Sequence, residues 1–215
     1  MPSSKRRSES ELLLSRDSSH PSDLSAMDAD TEQYILLLLS DGNLPTGSFV
    51  ASSGLESYAK HGFSLSSITS NSSAEKTMDF VRYSLESYSR SALPFVLDAH
   101  TAVSEGLSAW KESGDLSFGG CREKIIRLDA FYDAITLNHV ARRASKAQGV
   151  ALLALFSKGF SRPPWLLSND GDDRRWSAIS SFIDRIKLDV RQNTTHGYLP
   201  VCWGVLTSAL GLSAG

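Results

Sequence analysis

The sequence predicts an all-α protein, a single-domain helical bundle behind a disordered N-terminal tail. Three observations carry that prediction: apolar residues recur at helical spacing through the second half, capping signals open the candidate helices, and strand alternation is absent over any useful length. With 41% hydrophobic and 21% charged residues, a chain of 215 residues can bury one ordinary core.

Residues 1–30 are dominated by Ser, Asp, Glu, Lys and Arg. They offer too little apolar surface to offset the entropy of ordering. They are expected to form the tail, with the folded domain over 31–215. Order begins at Asp30, a helix cap with Gln33 at the third position. Residues 34–39 are apolar all round, which predicts a buried element. Asp41 to Gly47 is dense in turn formers. Ser53 with Glu56, and Ser72 with Glu75, have the spacing of capping boxes, with a Ser-rich loop between them.

The second box opens a helix expected to reach Ala92. Pro94 should break or kink it there and then start another helix running to Glu105. A loop carrying Gly106, Gly114, Gly119 and Gly120 follows. Over 122–137, Ile125, Leu128, Tyr132 and Ile135 make one amphipathic stripe. Over 138–157, Val140, Ala144, Ala147, Ala151 and Ala154 make a ridge of small residues that another helix could approach closely. Gly149 within it costs about 1 kcal/mol relative to Ala, which close packing would offset. Arg142, Arg143 and Lys146 cluster on the polar side. After a loop with Pro163, Pro164 and the acidic run 170–173, a helix is expected near 176–187, and a last one over 200–210.

Charge and motifs narrow the function classes. A net charge of −2 gives no bulk attraction to nucleic acid or an anionic membrane. No apolar run approaches the ~20 residues a membrane span needs. Cys121 and Cys202 form no CxxC pair, which fits a reducing, cytoplasmic setting; Lys5, Arg6 and Arg7 are a short basic run of the nuclear-signal kind. Gly42 to Ser48 follows phosphate-loop spacing, but Ser48 stands where the lysine is needed. The acidic run near Gly171 fails the calcium-loop pattern because Leu166 occupies an acidic position. The five histidines show no HxxxH or HExxH spacing, and Asp98 with His100 reads as two ligands of an incomplete site or as a capping histidine. No nucleophile elbow is present. These features predict no catalytic constellation, no metal site and no cofactor. Arg142, Arg143 and Lys146 read as an anion or acidic-partner surface, or as a solvated helix face.

Three ordered stretches resemble the UreF family of urease accessory proteins. The first runs over 39–49 and on through Ser52, Gly54, Leu55 and Glu56, similar to the family signature with its Pro45, Gly47 and Phe49. The second joins Thr136, Leu137 and Asn138 to Arg142, Arg143, Gln148 and Gly149. The third is His196 to Gly204 with Ala209-Leu210-Gly211-Leu212. The resemblance implies an all-helical fold, a homodimer, and a non-catalytic place in a nickel-delivery complex. In that complex the family's protein binds a UreD/UreH-type accessory protein and recruits a UreG-type GTPase, and the assembly docks on apo-urease, which the resemblance implies for this chain too. It makes Pro45, Gly47, Phe49, Ser52, Gly54, Leu55, Glu56, Arg142, Arg143, Gln148 and His196 the motif residues, each serving either fold maintenance or partner contact. A generic helical adaptor without a urease role and a small nucleotide hydrolase using 42–48 are the competing readings. Departures exist: Ala51 replaces a His or Tyr, residues 158–175 make a longer connection, and the family continues past the third motif. C-terminal helices therefore look missing, and Val205, Leu206 and Leu210 are expected to be partly exposed.

Overall fold

A computed structural model of the chain describes residues 29–41, 44, 54–61, 73–113, 118–160 and 171–214. Among them run α1 (Ala29–Leu39), α2 (Leu55–His61), α3 (Ser73–Ser113), α4 (Gly119–Ile135), α5 (His139–Leu155), α6 (Gly171–Arg191) and α7 (Leu199–Ala209). The all-α prediction holds over these residues.

The core is organised around α7. Pro200 in its first turn presets the backbone for a helix start. Val201, Cys202, Val205, Leu206 and Ala209 are buried, so α7 is hydrophobic all round and central. It packs against the C-terminal half of α3 and against α5. The α3 crossing is close because small residues meet there. A Cβ on Gly204 would lie 2.3 Å from the Val96 carbonyl oxygen, beside Ala99. A glycine turn ends α7: Gly211, at φ +82°, donates to Ser208 and Leu212 donates to Thr207. The Nε2 of buried His100 bonds the Leu212 carbonyl at 2.9 Å, so this ring caps the chain leaving α7. Asp98 is exposed and His100 buried, so the two do not share a site.

Around that centre, α6 turns in Ala178, Ile179, Phe182, Ile183 and Ile186, and α4 turns in Cys121, Ile125 and Tyr132. The buried Asp189 carboxylate clamps α4 to α6. Arg122 reaches it with two bonds, at 2.6 and 2.8 Å, the planar fork geometry that suits guanidinium to carboxylate.

Several expectations are corrected. Pro94 does not divide its segment: α3 is one helix of 41 residues, about 60 Å at the standard rise. Pro94 is exposed, where water can take the carbonyl that the missing amide leaves. Residues 34–39 are helical but mostly exposed, with Tyr34 at 62% and Leu37 at 71%. Only Ile35 and Leu39 of α1 pack on the core, because this helix lies at the edge and meets it along one side. Val205, Leu206 and Leu210 are buried rather than partly exposed, since α7 is the hub of the bundle. Open apolar surface includes α1 and the N-terminal half of α3, at Met78, Tyr83 and Leu85. The α6 helix starts earlier than its pattern suggested, at Gly171. Residues 156–160 continue α5 as a π-helical turn.

Candidate functional site

The best-organised surface feature is the loop between α6 and α7. It leaves α6 through Asn193, which adopts the left-handed φ of +57°, with Asn193 donating to Val190 and Thr194 to Asp189. The next four residues fold over one carboxylate. Asp129, on α4, is 1% exposed. Its Oδ2 accepts from Thr195 Oγ1 at 2.6 Å, His196 N at 2.6 Å and Gly197 N at 2.9 Å. Its Oδ1 accepts from Tyr198 N at 2.8 Å. A carboxylate is the side chain suited to this task, because it can accept all four donors at once.

Helix α5 closes the other side of the loop. Ser145 Oγ accepts from Leu199 N at 3.0 Å. Gly149 is buried against the turn, and a Cβ there would sit 2.2 Å from the Gly197 carbonyl oxygen. The close packing expected at Gly149 is therefore present, but its partner is a loop backbone. Gly197 itself has φ +75° and is crowded by Val190, which leaves glycine as the residue that fits. The buried face of α5 is Ser145, Gly149, Leu152 and Leu153. The predicted ridge lies away from it, with Val140 58% exposed and Ala147 also open.

One turn beyond Asp129, Asp133 collects the groups that reach the surface. Tyr198 donates its hydroxyl to Oδ1 in a short hydrogen bond. Arg142 reaches the same oxygen at 3.2 Å, and His196 Nε2 lies 4.0 Å from Oδ2. The His196 and Tyr198 rings pack with centroids 5.3 Å apart. The Tyr198 bond, with help from Arg142 and His196, holds the Asp133 carboxyl below its ordinary range. Burial, reinforced by the Asp133 bond, pushes the Tyr198 phenol upward. The cluster is thus a set of fixed, charged and hydrogen-bonded groups with His196 and Arg142 at its wet edge.

The structure brings Arg142 and His196 together through Asp133. Gln148 is half-buried on α5, and Arg143 is exposed on the same helix. Gly54 takes φ +94° before α2, with Leu55 and Glu56 exposed in that helix's first turn. Helix α2 rests on α3 through Tyr58 and Phe80, whose rings are 5.0 Å apart. Pro45, Gly47, Phe49 and Ser52 lie outside the described residues, as do Ser53 and Ser72 of the two capping boxes. Sequence reading missed Asp129, Asp133 and Thr195, while Ser145 and Tyr198 fell within the second and third motif stretches without being given a role. One signal pointed to Asp129: a carboxylate within the apolar stripe of Ile125, Leu128 and Tyr132.

Fold and site define an all-α protein built on one buried helix, with a surface loop locked to carboxylates of a neighbouring helix. Comparison with known proteins gives this architecture its place. The chain belongs to the UreF family, whose pattern it matches over residues 72–215, the span from just before α3 to beyond α7. The chain is similar to urease accessory protein 6 of Cryptococcus neoformans var. grubii, at 39% identity over 206 residues, covering 84% of this chain and 63% of that protein. It is also similar to a UreF-like urease accessory protein of Schizosaccharomyces pombe, at 28% identity over 186 residues, covering 86% of this chain and 64% of that one. The chain therefore spans a little under two thirds of the length of both relatives. No solved structure matches it.

Proposed function

We propose that this chain acts in urease maturation as a non-catalytic adaptor, holding a UreG-type GTPase and a UreD/UreH-type accessory protein together while nickel enters apo-urease. Nickel is cargo in this reading, and the chain's contribution is shape. The observation that carries it is the family match over 72–215, which contains every residue of the cluster joining Asp129, Asp133, Arg142, His196 and Tyr198. The two relatives are named for the same accessory role. A pre-formed surface also suits an adaptor, because groups already fixed lose little entropy when a partner arrives.

The reading places the chain in the cytoplasm as a homodimer. Among the described residues no helix is long and apolar enough to cross a membrane, and both cysteines are free and buried. The test is a deletion of the gene in its own host, followed by purification of urease. Urease should accumulate at normal level with little nickel and little activity, and the reintroduced chain should restore both. Normal nickel content in the deletion strain would end the proposal.

A further inference from the structure

Helix α5 carries an unbalanced charge. Its 17 residues include Arg142, Arg143 and Lys146 and no carboxylate. With His139 these occupy positions i, i+3, i+4 and i+7, so they form one stripe along the first two turns and the start of the third. The placement opposes the helix dipole, whose N-terminal end is already positive. Asn138 caps that end with its side-chain oxygen, accepting from Val140 N at 2.9 Å and Ala141 N at 3.2 Å. Arg142 is balanced by Asp133 across the turn. His139 and Arg143 point to water and Lys146 is half-buried. Beside the stripe lies open apolar surface: Leu137 is 87% exposed, Val140 is 58% exposed, and Ala147 is exposed two turns further on. A solvated helix face would carry mixed charges and few apolar groups, and this one carries neither pattern.

We propose that the first turns of α5 are the docking site for an acidic, amphipathic helix of a partner protein. Its carboxylates meet His139, Arg143 and Lys146, and its apolar edge lies along Val140 and Ala147. Small side chains at Ala144 and Ala147 let that helix come close. The opposite sign of charge supplies both register and a fast encounter. The proposal rests on the adaptor reading above, since it gives that reading a contact surface and a partner chemistry.

The test uses the full chain with the purified UreG-type, UreD/UreH-type and urease proteins of the same host, with binding measured at about 50 and about 300 mM salt, between which the Debye length falls from about 14 to about 6 Å. The double variant R143E/K146E should weaken one of these complexes by about tenfold or more at low salt and flatten its salt dependence. A147E should weaken the same complex, and both variants should melt within a few degrees of the parent chain. Unchanged affinity and salt slope in both variants, with the parent chain still binding, would overturn the docking site and leave the adaptor reading standing. Binding of the parent chain to none of these proteins would overturn both. Pyrophosphate binding that R143E/K146E abolishes, with the protein complexes untouched, would overturn the proposal in favour of a phosphate site.

Discussion

At the scale of single residues, two carboxylates one helical turn apart divide the work of the loop. Asp129 is buried and acts as scaffold, while Asp133 reaches the surface. Asp129→Asn keeps the size but loses half the acceptors. Its best orientation leaves the oxygen on three donors and turns its amide against the Tyr198 N–H. Breaking charge-assisted buried bonds of this kind should lower unfolding free energy by about 2–4 kcal/mol, read from the denaturant midpoint at constant slope. Asp133 adds a pH dependence of definite sign. Its folded carboxyl titrates below the ordinary value of 3.8, so its stabilisation is complete above that value and is lost as pH falls through the folded one. The stability gap between the parent chain and Tyr198→Phe should therefore be constant from pH 5 upward to neutrality and shrink below about pH 4. Burial pushes the Cys121 thiol up to about 12 and the Cys202 thiol well up too. Neither should react with a thiol reagent at pH 8 until the chain is unfolded. Of these residues, Asp129 sits within the apolar stripe of α4, a signal that sequence reading passed over, and its donors lie 66 to 69 residues away. No local pattern reports a contact over that separation.

At the scale of elements, helices with a single buried side were legible and those with unusual partners were not. The α4 stripe follows from spacing as far as Tyr132, because one face packs on one core, while Ile135, its last member, is 45% exposed. The small-residue ridge of α5 was expected to take a closely packed helix, but Ser145 and Gly149 supply the face that packs inside this chain. Periodicity cannot distinguish an inner face from an outer one when both are made of small residues. Gly149→Ala tests the inner contact directly. Its methyl would need the Gly197 carbonyl to retreat from 2.2 Å, and overpacking at a backbone contact should destabilise by about 1–3 kcal/mol. Pro94 makes the opposite case. The proline rule predicted an end, and α3 runs through, because the affected carbonyl belongs to an exposed side of the helix. Pro94→Ala should therefore stabilise the chain, by up to about 3 kcal/mol on the scale of interior helix prolines, measured by thermal melting.

At the scale of the whole molecule, stability is distributed unevenly along one helix. From Ala92 onward α3 buries Ala92, Phe95, Ala99, Ala102 and Val103 against α7 and its neighbours. Before Ala92 the same helix exposes Met78, Val81, Tyr83, Leu85 and Tyr88 and is steadied by the Tyr58–Phe80 contact. An isolated helical segment of this length is marginal in water, because most helix stability in proteins comes from a packed face. The two halves should thus open independently although the backbone joins them without a break. Amide exchange offers a direct reading. Amides over 77–90 should exchange by local fraying, orders of magnitude faster than those over 96–105 and in α7, which should exchange only through global unfolding. Uniform protection along all of α3 would mean that the exposed half is covered in solution. Repeating the exchange at several chain concentrations would then separate the causes: protection over 77–90 that rises with concentration belongs to self-association, and protection that does not belongs to packing within one chain.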